Sequence, residues 1–291
     1  MTVQRFSVLV PLAWLLVFFL TPFILIAIIS LADPIAAQPP YTPVFTLDHG
    51  VPGFHGDLGK YDYLFGQSLY IKAFKGSLRI ATIATFLCLL VAYPMAYVIA
   101  RSDEKIRPML LMGVVLPFWT SFLIRIYAWI GLLSDNGIIS KTLMSIGLLH
   151  EPLHVMRTDS AVFIGVVYAY LPFMILPLYS TLERMDWRLL DAAADLGARP
   201  IESFFKITLP LSLPGIFAGC LLVFIPVTGE FVIPELLGGP DTLMIGKVLW
   251  EEFFTRRDWP AASALAVLLV LALLPAIIGL QTAQRAADGD A

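Results

Sequence analysis

Residues 191–210 read DAAADLGARPIESFFKITLP. This is the longest polar stretch of the chain that also reads as ordered helix. Asp191, Ala192, Ala193 and Ala194 place an acidic residue in a first turn and follow it with good helix formers. Gly197 suits a left-handed cap that ends this helix, and Pro200 cannot continue it. A second helical turn or two is expected through Phe204, Phe205 and Ile207, with Pro210 stopping it. Two short helices therefore meet at a glycine turn. Small alanine side chains on one face let another surface approach closely.

The rest of the chain is dominated by apolar runs. Of its 291 residues, 58% are hydrophobic and 14% charged, and mean hydropathy is +0.82. Soluble domains carry about 25% charged residues. The contrast implies an integral membrane protein before any motif is read. A net charge of −3 gives no reason to expect nucleic acid as a partner. Cys88 and Cys220 each lie in an apolar run and read as small buried residues. Neither a disulfide framework nor a metal-ligand spacing is present in the sequence. A glycine-rich phosphate loop of the Walker type is also missing, so this chain does not bind ATP by that route.

Six runs read as membrane spans, which makes the expected fold class all-α and polytopic. The first, 7–32, is uncharged and long enough to cross a core of about 30 Å. Its length favours an uncleaved span over a signal peptide. Residues 33–75 are polar and rich in Pro and Gly, a loop with an interfacial helix expected at 61–73. The second span is 76–100 and the third 108–133. A loop at 134–158 carries the Asn136-Gly137 turn signal. The fourth span is 161–182. The polar loop 183–211 precedes the fifth span, 213–237, which Pro226, Gly229 and Pro234 interrupt. The sixth span is 259–280. The expected organisation is thus a first span and outer loop over 1–75, a core of five spans over 76–283, and a polar tail over 284–291.

Charge density sets the expected orientation. Arg5, Arg101, Lys105, Arg107, Arg184, Arg188, Arg199, Lys206 and Arg285 crowd the short polar segments of one side. The positive-inside rule makes that side cytoplasmic, together with both termini and the Asp191 loop.

Asp191-Ala192-Ala193, Gly197, Ile207 and Leu209-Pro210 keep the spacing of the EAA loop of ABC-importer permeases. Asp191 stands where that family has Glu. Three longer stretches, 116–140, 166–180 and 229–254, resemble the polyamine branch of these type I permeases, putrescine importers among them. The resemblance implies that Asp191, Ala192, Ala193, Gly197, Ala198, Arg199 and Pro200 belong to a cytoplasmic coupling helix docked in a groove of an ATPase. It also implies a second, related permease, two ATPase subunits and a periplasmic polyamine-binding protein. ATP and magnesium would bind the ATPase, leaving no cofactor on this chain. The implied activity is ATP-driven import across the bacterial inner membrane, with putrescine as cargo. Spermidine or another cationic solute is the alternative cargo. A proton-coupled secondary transporter is a further alternative, but it leaves the DAAADLG segment unexplained.

A polyamine is a flexible polycation, and a path for it calls for carboxylates and aromatic faces. Glu230 is the leading candidate, because it sits in a broken span where a membrane carboxylate needs water or a partner. The competing readings give its carboxylate to backbone N–H groups freed at the break, or to Arg125. Arg125 itself reads as half of a structural ion pair, with Glu230 or with an acid of the partner permease. Glu235, Asp241 and Asp135 fall near the outer mouth, where they attract cations or cap turns. Trp119, Tyr127, Trp129, Tyr168 and Tyr170 are the aromatic candidates, set against their common use in packing and at membrane interfaces. Arg256 and Arg257 read as solvated loop charges. His49, His55, His150 and His154 all fall in outer loops, and the spans contain no catalytic cluster.

Overall fold

The computed structural model describes residues 2–48 and 51–289. His49 and the last two residues of the tail lie outside them. In chain order the helices are α1 (Thr2–Leu15), α2 (Thr21–Ile29), α3 (Gly59–Gly66), α4 (Ser68–Arg101), α5 (Arg107–Val115), α6 (Phe122–Leu133) and α7 (Ile138–Ser145). They continue with α8 (Asp159–Glu183), α9 (Arg188–Asp195), α10 (Pro200–Ser203), α11 (Leu209–Thr228), α12 (Val232–Leu237), α13 (Ile245–Trp250) and α14 (Trp259–Gly289). Among the described residues, six helical stretches are long and apolar enough to cross a membrane: Leu9–Ile29, Ser68–Arg101, Phe122–Ser145, Asp159–Glu183, Pro200–Thr228 and Trp259–Gly279. The all-α class and the number of spans are as expected from the sequence, but the third lies at Phe122–Ser145 and not 108–133, and the fifth at Pro200–Thr228 and not 213–237.

Several boundaries differ, each for a local reason. The third span is interrupted where the sequence reads as one run. Pro117 removes a donor, the backbone tightens into a 3₁₀ turn at Leu116–Trp119, and Thr120 and Ser121 are extended before α6 begins. The following loop is not all loop, since α7 forms after the turn that Gly137 closes on the Ser134 carbonyl at 2.7 Å. Pro210 does not end the second short helix. A π-helical turn at Phe204–Thr208 widens the backbone there, and the Leu209 N–H bonds back to the Phe204 carbonyl. That extra width absorbs the proline ring and its missing donor, and the helix runs on into α11. The loop 33–75 also contains a short hairpin, β1 (Phe45–Asp48) paired antiparallel with β2 (Val51–Phe54), with Phe45 opposite Phe54.

By internal contacts the chain forms two units. One comprises Met1–Phe74 with Ile245–Leu273, the other Lys75–Met244 with Leu274–Ala291. In the first unit Glu252 is buried at 3% exposure, accepting from the Tyr70 hydroxyl at 2.8 Å and from Arg256 Nη1 at 2.9 Å. Arg256 is exposed, as a solvated loop charge should be, and its Nη1 in addition pairs with this buried carboxylate. Lys60 bonds Asp258 at 2.9 Å, and Asp258 accepts from the Ala261 N–H at the start of α14.

The second unit is built on α8 against α11. Gly215 and Gly219 of α11 let the helices meet closely. A Cβ on Gly215 would lie 2.6 Å from Thr181 Oγ1 and 2.9 Å from the Pro177 carbonyl; one on Gly219 would lie 2.6 Å from Met174 Sδ. Helices in lipid gain association from such contact, since lipid tails are as apolar as leucine. Met174, Ile175, Leu178 and Val223 are fully buried there. Tyr93 of α4 joins the pair through a 2.9 Å hydrogen bond to Ser212. Gly215→Leu would force the helices apart against backbone. We expect a destabilisation of about 1–3 kcal/mol, read as a lower thermal midpoint of the purified permease in detergent. An unchanged midpoint would refute the close packing.

Candidate transport path and coupling loop

Glu230 lies in the break between α11 and α12. Gly229 and Phe231 leave the helical conformation, and the first N–H groups of α12 have no carbonyls behind them. Glu230 Oε1 fills that role, accepting from the amides of Phe231 at 3.1 Å, Val232 at 2.9 Å and, more weakly, Ile233 at 3.5 Å. Oε2 accepts from the Tyr170 hydroxyl of α8 at 2.5 Å. Glu230 is 9% exposed. This is the backbone-capping arrangement that the sequence raised as one of its readings. A carboxylate at a helix N-terminus also meets the favourable end of the helix dipole.

Pairing with Arg125 is not found. The Arg125 guanidinium lies over the Phe118 ring at 4.4 Å and beside Phe122 at 5.8 Å. Phe118 meets Phe173 edge-on at 5.6 Å, and Phe173 lies 6.1 Å from Tyr170. Aromatic rings, not an ion pair, therefore connect Arg125 to the Glu230 site.

The other candidates are dispersed. Trp129 of α6 packs edge-on against Tyr168 of α8 at 5.4 Å. Trp119 is 79% exposed and Tyr127 is exposed on α6. Asp135 pairs with His154 at 3.1 Å, both on the surface. Glu235 and Asp241 are exposed. Only Tyr170 among the named aromatics is bonded to Glu230. The sequence reading missed Asp159, which forms an ion pair with Arg79 and accepts from Thr242 Oγ1 at 2.7 Å. Its partners lie 80 residues behind and 83 ahead, and no local pattern announces them.

In the polar loop 183–211, the Asp186 carboxylate accepts from the side chain and backbone of Arg188, both at 3.1 Å. Those bonds, the side-chain one foremost, hold its pKa below the usual carboxylate range. α9 then ends as the sequence predicts. Gly197 has φ +82°, its N–H bonds the Ala194 carbonyl at 2.9 Å, and the Ala198 N–H bonds the Ala193 carbonyl at 2.9 Å. These two bonds are a Schellman cap. Arg199 is extended and Pro200 opens α10. Leu196 is 89% exposed, with Ile201 and Phe205 also open. Asp191, Ala192, Arg199 and Pro200 are exposed, while Ala193 and Ala198 are half-buried.

A family model described as the inner membrane component of binding-protein-dependent transport systems matches residues 5–287. The chain belongs to this family. It is a multi-pass protein of the bacterial inner membrane and a transport subunit rather than an enzyme. The permease is 42% identical over 264 residues to a Haemophilus influenzae protein named spermidine/putrescine transport system permease protein PotB, covering 91% of this chain and 88% of that one. Identity to the protein of the same name from Escherichia coli K12 is 44% over 205 residues, 70% of this chain and 74% of the other. Its fold matches a chain of a bacterial alginate ABC transporter in complex with an alginate-bound periplasmic protein, with TM-score 0.69 at 17% identity, over 95% of this chain and 92% of that one.

The cap makes a prediction that does not depend on cargo. Glu230→Ala leaves buried donors without an acceptor, at about 1–3 kcal/mol for each such group. Glu230→Gln keeps a carbonyl oxygen facing them. The permease should melt lower as Glu230→Ala than as Glu230→Gln in detergent. Equal midpoints would remove the capping role.

Proposed function

We propose that this permease is a transmembrane subunit of an ATP-driven polyamine importer, with putrescine as cargo, coupled to its ATPase through residues 191–210. The observation that carries the cargo class is the 42% and 44% identity to relatives named for spermidine and putrescine transport. The coupling role rests on the loop geometry. A capped, rigid turn holds Leu196 and Ile201 outward among Asp191, Asp195 and Arg199, a small apolar tip with a charged rim. Such a tip fits a groove on a partner subunit. In this reading both termini and the loop are cytoplasmic. A second permease, two ATPase subunits and a periplasmic binding protein complete the complex, and ATP and magnesium bind the ATPase.

Glu230 and Tyr170 are the part of the path assigned to cargo. Oε1 stays on the backbone of α12, while Oε2 is held by one phenol. An arriving ammonium takes the place of the Tyr170 hydroxyl without disturbing the cap. A carboxylate offsets ammonium desolvation better than any neutral group. Glu235, Asp241 and Asp135 gather cations at the outer mouth, and Trp119, Tyr127 and Tyr168 supply aromatic faces along the way. Spermidine is the second reading, favoured by the same relatives' names. Uptake of labelled putrescine by the reconstituted complex, with spermidine as competitor, separates them.

Gly197→Asp should abolish uptake while the permease still inserts, because it strains the cap and adds a charge to the docking tip. Normal coupled uptake would refute the docking role. Glu230→Gln should assemble normally and slow uptake about tenfold or more, the equivalent of about 1.4 kcal/mol. Wild-type uptake in that variant would take Glu230 out of the path.

A further inference from the structure

Arg125 is a membrane-span cation whose charge no described residue of this chain answers. Its Nε and Nη1 atoms are buried and have no hydrogen-bond partner. Phe118 and Phe122 stack on it but supply no acceptor. Glu230 is fully engaged elsewhere, by α12 and Tyr170. Left without an anion inside a bilayer, the guanidinium is strongly unfavourable.

Two sources of an anion are open, lipid phosphate and protein carboxylate. Phosphate fits poorly. The side chain runs towards Phe122 and Phe118, back to the break before α6 and away from the Leu133 end. Beyond that break the chain continues in a further apolar helix, Arg107–Trp119. A polyamine is itself cationic and would be repelled. On its outer side Arg125 borders an exposed stripe of Ile124, Tyr127 and Ala128, with Trp119 just before the break.

We propose that Arg125 is the anchor of the contact with a second permease subunit, which presents an aspartate or glutamate from one of its own spans to the guanidinium, with Ile124, Ala128 and Trp119 as the apolar surround. This rests on the reading of the protein as half of a permease pair. It adds the chemistry of the partner: a carboxylate at the depth of Arg125, in an otherwise apolar helix face.

The test uses the complex expressed with both permeases, its ATPase and its binding protein. A photoactivatable phenylalanine analogue replaces Ile124 or Ala128. Irradiation should join this chain to the second permease, at positions within about one helical turn of an Asp or Glu. Adducts on lipid alone would overturn the proposal. Arg125→Gln should lower the recovery of the second permease about tenfold, with Arg125→Lys in between. The isolated full-length Arg125→Gln chain should melt at the same temperature as wild type or higher, because an unpaired buried charge is gone. A lower midpoint overturns the proposal, since the guanidinium then serves the chain's own fold. Unchanged recovery of the second permease overturns it as well. Leu196→Asp is the control, expected to lose the ATPase and keep the second permease. If wild type recovers no second permease, the pairing itself fails and the anchor falls with it.

Discussion

Hydrocarbon offers no hydrogen bonds, and every departure from helix inside it must be repaired from within the protein. Most of the distinctive features of this permease are such repairs. At the break before α12 the repair is a carboxylate, Glu230, set against the first amides of the new helix. At Pro210 it is a π-helical turn that shifts the bonding by one residue. At Thr120 the hydroxyl bonds the Pro117 carbonyl at 2.7 Å, beside the amide of the same residue at 3.3 Å. A charged group that repairs backbone is also held in place by it. Glu230 therefore combines two properties that are usually opposed in a membrane, an ionisable side chain and a fixed position.

The helices themselves are held by closeness rather than by greasy volume. Where α8 and α11 meet, glycines on one helix receive Met174, Pro177 and Thr181 of the other. Polar bridges then add register: Tyr93 to Ser212, Tyr170 to Glu230, Asp159 to Arg79 and Thr242. Each ties together spans that lie far apart in the chain. Such contacts are stronger where water does not compete, and more damaging when half of one is removed.

What the sequence disclosed follows the range of the physics. Apolar runs and the Gly197 cap depend on a few neighbouring residues, and both were legible. The break at Gly229 was legible because Pro and Gly cluster there. Pro210 misled because its local meaning, a stop, was overridden by a π turn that no single residue signals. The interruption at Thr120 was hidden among good apolar residues, and the hairpin at Phe45 and Phe54 inside a Pro-rich stretch. At the candidate site, Glu230 was visible as a charge out of place. Its bond to Tyr170 was not, because 60 residues separate them. Glu252 and Asp159 escaped for the same reason: Tyr70 lies 182 residues from the first, and Arg79 and Thr242 lie 80 and 83 residues from the second.

The π turn at Phe204–Thr208 has a mechanical meaning. Because it carries the backbone past Pro210 unbroken, the end of the polar loop and the fifth span are one helical rod, Pro200–Thr228, of 29 residues. At 1.5 Å per residue such a rod is about 44 Å long. Its near end emerges from the Gly197 turn, and its far end stops at Glu230. A swing of a few degrees imposed at the glycine end, pivoting on the α8 contact at Gly215 and Gly219, becomes a displacement of an ångström or more at the carboxylate. A motion applied at the Gly197 end would thus reach Glu230 as leverage, without any relay of side chains between them.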